Sequence, residues 1–275
     1  MPINPDAVGA EGGPVERSWD ARQCMLYALG VGCGVDELQF DTEKNQQVLP
    51  TFAVIIGGGG APLGSAGEFN PAMLVHGEQA IELLRPIPAK GKLESRGKIT
   101  AVWDKGSGAV IETESQSIDL ETGEPLLRTR SSMFIRGEGG FGGERGPSAE
   151  KFEPGRDPDV EVTYSTRIDQ ALIYRLSGDM NPLHSDPDFA KMGGFDAPIL
   201  HGLCTYGFTG RALLHGLCGG DPTRFKSMAG RFSRPVIPGD ELTVKMWVNG
   251  GDARFQTVNQ NGEVVLDQGR FTFSD

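Results

Sequence analysis

The chain has 275 residues, 38% of them hydrophobic and 23% charged, with a formal net charge of −11. That length and composition suit one large globular domain or two modest ones with a sizeable core. The acidic balance argues against non-specific binding to nucleic acid or anionic membranes, which reward clustered Lys and Arg.

The opening run MPINPDAVGAEGG lacks the basic and apolar regions of a signal peptide. No stretch approaches the apolar length of a membrane span, and the final FTFSD carries no peroxisomal SKL-type address. The expected location is cytoplasmic. Cys24, Cys33, Cys204 and Cys218 form no C-x-x-C pair, so free thiols in a reducing compartment are expected.

Further along, VLPTFAVIIGGGG at 48–60 is apolar and glycine-rich, and HGEQAIELLRPIPAKGKL follows at 76–93. The His76-Gly77 pair opens an apolar segment of helical length. Two strand-like stretches come next, AVIETESQSIDL and PLLRTRSSMFIRG, joined by ETGE. A glycine-rich connector, RGEGGFGGERGPS at 136–148, separates them from a second half that repeats the pattern. There HGLCTYGFTGRALL and RPVIPGDEL match the first half's His-Gly and Arg-Pro runs. ELTVKMWV alternates like a half-covered strand. ARFQTVNQ and EVVLDQGRFTF are joined through Asn261-Gly262, a type I′ hairpin signal. The expected architecture is therefore a duplicated α+β fold, each half a curved antiparallel sheet wrapped around its own long helix. The expected boundaries are 1–136, a linker at 137–148, and 149–275.

The halves differ where chemistry is concentrated. YRLSGDMNPLHSD at 174–186 breaks regular structure with Ser177, Gly178, Asn181 and Pro182. Asp179 and His184 lie on either side of that stiffened bend. Aligning YALGVG at 27–32 with YRLSGD puts Gly32 opposite Asp179 and Glu37 opposite His184, so the first half has no Asp/His pair. The apolar insertion at 48–60 is instead expected to open room for a greasy tail, or to form a mobile loop. A carboxylate and an imidazole facing one another can share a water for general acid/base catalysis; the same residues could equally make a hydrogen-bonded cap. A third strong metal ligand is missing, so no metal is expected. There is no G-x-S-x-G elbow and no phosphate-binding glycine spacing. Gly202, at a helix start, could offer its N–H to a carbonyl on which enolate charge develops.

The run Y-R-L-S-G-D-M-N-P-L-H-S-D-P-D-F-A resembles the signature of the (R)-specific enoyl-CoA hydratases, the hydratase 2 or MaoC-like family. The similarity extends through APILHGLCTYGFTGRALL, RFSRPVIPGDEL, LPTFAVI and LVHGEQAIELLRPIPAKGKL. Nearly the whole chain resembles the two-repeat form found as the hydratase part of the peroxisomal multifunctional enzymes. The resemblance implies a double hot-dog fold and reversible hydration of trans-2-enoyl-CoA to (R)-3-hydroxyacyl-CoA, with no cofactor. It implies that Asp179 and His184 are the catalytic pair, with base and acid assignable either way. Asn181 would place the water and Gly202 would bind the thioester carbonyl. His76, Gly77, Lys105 and Phe232 would contact substrate. It also implies long or bulky, even sterol-derived, acyl groups, a homodimer, and a possible (R)-3-hydroxyacyl-CoA dehydrogenase partner. A dehydratase acting on acyl-carrier protein, a thioesterase, and a non-catalytic acyl-CoA-binding subunit are the alternatives.

Overall fold

Strand-forming runs dominate the chain, and in a computed structural model they build one sheet; the structure describes residues 3–70, 73–148 and 152–274. The first half contributes β1 (Val15–Trp19), α1 (Ala21–Gly30), α2 (Leu38–Asp41), α3 (Ala53–Ile56), β2 (Leu74–Leu83), β3 (Gly91–Asp104), β4 (Gly108–Asp119) and β5 (Pro125–Arg136). The second contributes β6 (Val160–Ser165), α4 (Gln170–Tyr174), α5 (Pro187–Met192), α6 (Gly202–Cys218), β7 (Phe225–Phe232), β8 (Glu241–Asn249), β9 (Asp252–Asn259) and β10 (Val264–Phe273). The ten strands run in the order β1-β3-β4-β5-β2-β7-β10-β9-β8-β6, and every neighbouring pair is antiparallel. Read outward from the centre, each half repeats the same order, so the duplication is a property of the fold. The halves meet along a seam where β2 pairs with β7 from Glu78↔Arg231 to Glu82↔Ser227.

Two local expectations are overturned. The segment after His76 is the strand β2, not a helix. Its period is two: Gln79, Ile81 and Leu83 are buried, while Glu78 and Glu82 are exposed. Its counterpart is therefore β7, and the shared His-Gly dipeptide is not a repeat. The hairpin at Asn261-Gly262 is not type I′ either, because Gly262 has positive φ (76°) and Asn261 does not. Gly262 N–H donates to Asn259 C=O at 2.9 Å, the signature of a three-residue loop whose last residue is left-handed.

Among the described residues, only the second half has a long central helix. Twelve of the 17 residues of α6 are buried, so it is apolar on nearly every side and must lie inside the sheet's curl. Its glycines admit close neighbours from the first half. A Cβ at Gly207 would stand 2.4 Å from Val31 Cγ1, and one at Gly210 would stand 2.2 Å from Thr51 Cγ2. Gly207→Ala is thus expected to destabilise the protein by about 1–3 kcal/mol through overpacking, although alanine raises helix propensity by about 1 kcal/mol. Urea denaturation checks the sign.

Val48, Leu49, Phe52, Ala53 and Ile56 join the same buried cluster as α6 and residues of both halves. The apolar insertion is thus packed core, neither an open chamber nor a loose loop. All four cysteines are free and buried. Among the described residues no helix is long and apolar enough to cross a membrane.

A charged tie also crosses between the halves. Glu37 accepts hydrogen bonds from the Arg211 guanidinium, at 2.9 Å and 2.7 Å from Nε, and from His215 Nε2 at 2.5 Å. Arg211 in turn lies 3.8 Å over the Tyr164 ring. Burial works upward on the Glu37 carboxyl, but the His215 and Arg211 hydrogen bonds outweigh it and hold its pKa at about 2.

Candidate active site

Polar turn chemistry builds the candidate catalytic loop after α4. Asn181 N–H donates to Asp179 Oδ1 at 3.1 Å, and Leu183 N–H donates to Asn181 Oδ1 at 3.0 Å. These two side-chain-to-backbone bonds hold the bend and start a single 3-10 turn at Pro182–His184. The Asn181 oxygen is therefore occupied as a cap; its amide donors are what it can offer a water.

The turn delivers His184 into the interior, where it is 8% exposed. Its Nδ1–H donates to Ile199 C=O at 2.8 Å, because a carbonyl can only accept. That bond fixes the tautomer and leaves a lone pair on Nε2. Burial lowers the His184 pKa, against the opposing pull of the Ile199 bond and Asp179. The imidazole is thereby kept neutral and basic at one defined nitrogen.

His201, the residue before α6, completes the arrangement. It is 1% exposed and its ring stacks on His184 at 3.7 Å and 27°. Its Nε2–H donates to Asp179 C=O at 3.2 Å, and its Nδ1 has no hydrogen-bond partner. Burial and the neighbouring His184 push its pKa down to about 4. Ligating atoms of Asp179, His184 and His201 all lie within 4.8 Å of one another. The third polar group judged missing from the sequence is thus present, which removes the argument used there against a metal.

The first half supplies the other wall. Gly77 is at a bulge between His76 and Glu78 in the β2–β5 ladder, and a Cβ there would come within 2.8 Å of Ser132 Oγ. His76 donates from Nε2 to Glu78 C=O at 3.1 Å, and its ring meets Phe232 edge-on at 5.1 Å. Phe232 in turn covers Gly202, where a Cβ would be 3.3 Å from the ring. Burial lowers the His76 pKa, opposed by the Glu78 bond, Gln79 and Asp179. Asp179, His184, Gly202, His76, Gly77 and Phe232 therefore converge. Lys105 does not join them: its ammonium donates to Arg145 C=O at 2.6 Å and Pro147 C=O at 3.0 Å, fastening the glycine-rich connector.

The sequence profile of the MFE-2 hydratase 2 N-terminal domain matches residues 18–137, and that of the MaoC-like domain matches residues 149–269. The chain belongs to the MaoC-like hydratase 2 family. It is 46% identical to 3-hydroxyacyl-thioester dehydratase Y of Mycobacterium tuberculosis, covering 98% of each chain. It is 42% identical to a probable enoyl-CoA hydratase 2 of Dictyostelium discoideum, covering 93% of this chain and 91% of that one. Among solved structures, a MaoC-like dehydratase from Phytophthora capsici superposes with a TM-score of 0.89 at 37% identity, covering 99% of this chain and 98% of that one. The double hot-dog expected from the sequence is the fold observed.

The residue that sequence reasoning undervalued is His201. In the sequence it is one half of a His-Gly dipeptide, and the other copy of that dipeptide, at His76, lies in a strand. The available signal was its place one residue before the proposed carbonyl donor, 17 residues after His184. His201→Phe keeps a ring on His184 but removes the donor to Asp179 C=O; His201→Gln can keep that donor. Phenylalanine is expected to lower kcat more than glutamine does. In wild type the acid limb of the kcat pH profile falls below pH 6.5, the ordinary histidine value, because burial lowers the pKa of His184, whose protonation removes the base.

Proposed function

We propose that this chain catalyses reversible addition of water across trans-2-enoyl-CoA to give (R)-3-hydroxyacyl-CoA. The observation that carries the reading is the His184 tautomer: a buried neutral imidazole with its lone pair on Nε2, grouped with the Asp179 carboxylate at the start of α6. Water gives a proton to His184 Nε2 while its oxygen bonds to the β-carbon. The double-bond electrons move toward the thioester, and the enolate oxygen accepts the Gly202 N–H at the positive end of α6. The His184 imidazolium passes that proton to the Asp179 carboxylate, which delivers it to the α-carbon, so one proton travels from water to substrate through the pair. Asn181 places the water through its amide donors. No metal or redox group is needed for these steps, since every proton moves between the pair, water and substrate.

Ring contacts run from His201 to Tyr174 at 4.9 Å, from Tyr174 to Tyr27 at 6.1 Å, and from Tyr27 to Phe52 at 5.4 Å. This apolar line is packed core that connects the site with the 48–56 segment; long or bulky acyl groups, including sterol side chains, are supported by the family resemblance alone. The first half is then the silent, acyl-accommodating partner of the catalytic second half. The family resemblance further supports a cytoplasmic homodimer working beside an (R)-3-hydroxyacyl-CoA dehydrogenase.

Loss of enoyl-thioester absorbance, followed with trans-2-enoyl-CoAs of several lengths and a sterol side-chain analogue, tests the reaction and ranks the substrates. Chiral analysis should return the (R)-alcohol. Binding of these thioesters without turnover would make the chain an acyl-CoA-binding subunit. The 46% identical relative is named a 3-hydroxyacyl-thioester dehydratase, which favours assaying the reverse direction too. Faster turnover of carrier-protein-bound than CoA-bound substrate would reassign the acceptor.

A further inference from the structure

Two imidazoles and a carboxylate meet at the start of α6, a donor set with a chemistry that water addition leaves unused. Ligating atoms of Asp179, His184 and His201 lie within 4.8 Å of one another, and among the described residues this is the one such group of three. Neighbouring donors of a tetrahedral zinc ion stand about 3.3 Å apart, on bonds of about 2.0 Å. A carboxylate turning about its own side-chain bonds can close that difference. Asp179 is exposed while His184 and His201 are buried, so an ion reaches the two nitrogens from the carboxylate side.

The backbone has already oriented both rings for such an ion. A metal-ligating histidine almost always donates its second ring N–H to a carbonyl, carboxylate or water, which fixes the tautomer and aims the lone pair. His184 donates in this way from Nδ1 to Ile199 C=O at 2.8 Å, leaving Nε2. His201 donates from Nε2 to Asp179 C=O at 3.2 Å, leaving Nδ1. That Nδ1 belongs to a residue 1% exposed and has no hydrogen-bond partner. Water addition gives it nothing to do. Asp179 Oδ1 accepts from Asn181 N–H at 3.1 Å, and Oδ2 is the oxygen left for an ion. Two nitrogens and one carboxylate also discriminate among cations. Magnesium and calcium take shells of oxygen. Zinc takes imidazole and carboxylate, and keeps a fourth position for water where the protein supplies three ligands.

We propose that Asp179, His184 and His201 form a reversible zinc site, and that zinc bound there inhibits the enzyme. The site stands apart from the hydratase reading. The inhibition rests on that reading, because the ion takes the same His184 Nε2 lone pair that accepts a proton from water. One nitrogen cannot serve both.

Calorimetry with zinc chloride, in a buffer that does not bind the metal, measures the site without turnover. Metal-free wild type is compared with Asp179→Asn, with His201→Phe, and with the control His215→Asn, which alters the other carboxylate–imidazole pair, at Glu37. Wild type should bind one zinc per chain. Asp179→Asn and His201→Phe should each weaken binding at least about tenfold, the lower end of what even an outer-shell partner contributes. Circular dichroism shows which variants are folded, and Asp179→Asn, at an exposed position, carries the test if His201→Phe is not. No zinc bound by wild type, or equal affinity in wild type and the folded site variants, overturns the site. A loss of affinity confined to His215→Asn overturns it too, by moving the ion to Glu37. Magnesium displacing zinc at equal concentration overturns the choice of metal. In the enoyl-CoA assay, zinc should halve the rate of wild type near its calorimetric Kd, and a chelator should restore the rate in full. Full turnover with the site saturated overturns the inhibition. If metal-free wild type turns over no enoyl thioester, the hydratase reading fails instead, and calorimetry alone decides the zinc site.

Discussion

Replacing His184 by alanine is expected to lower kcat by about 10²- to 10⁴-fold, the usual contribution of a positioned general base. The argument rests on one nitrogen. Ile199 C=O takes the Nδ1 proton, so Nε2 alone can accept from water, and alanine leaves nothing in its place. Asp179→Asn should lower kcat over a similar range, because the amide keeps the shape but cannot shuttle a proton. The double variant should fall little below the worse single one, since groups that act as a unit are non-additive. Stopped-time absorbance assays at saturating enoyl-CoA give these rates. Either variant turning over like wild type would mean that the bend is only a cap.

Glu37→Ala is expected to cost about 3–5 kcal/mol of stability, because it strands the buried Arg211 charge without its partner. The Glu37 and Arg211 side chains are 8% and 9% exposed, so water cannot replace the lost carboxylate. Replacing both with apolar residues of similar volume should recover most of the loss, and urea denaturation of the three proteins separates these cases. The pH dependence has a defined sign. The Glu37 pKa is held at about 2 in the folded protein, below its ordinary value of 4.5. Its contribution is therefore full above pH 4.5 and is lost as pH falls toward 2.

Much of the fold was legible because strand alternation is a local signal. ELTVKMWV became β8 with inward Leu242, Val244 and Met246, and the two hairpin arms of the first half became β4 and β5. The bend that carries Asp179 and His184 was legible because Asn181 and Pro182 act within a few residues of chain. The error at 76–84 came from trusting a dipeptide over a period: Ile81 and Leu83 already alternated with Glu82, as a strand requires. Packing could not be read at all. Whether VLPTFAVI opens a chamber or fills one depends on α6, some 150 residues away, presenting glycines to Thr51 and Val31. The Glu37–Arg211–His215 tie and the His184–His201 stack were hidden for the same reason, since each joins residues that only the tertiary fold brings together.

The seam between β2 and β7 has five paired residues, whereas β4 and β5 are paired over eleven. As two separate chains, the halves would associate in a concentration-dependent way. Carried on one chain, the halves meet at an effective concentration that no dilution changes. Fusion also ends the obligation of a symmetric pair to place every residue twice. A carboxylate at position 37 and an imidazole at position 184 can then occupy equivalent turns, one bracing the molecule and the other free for chemistry.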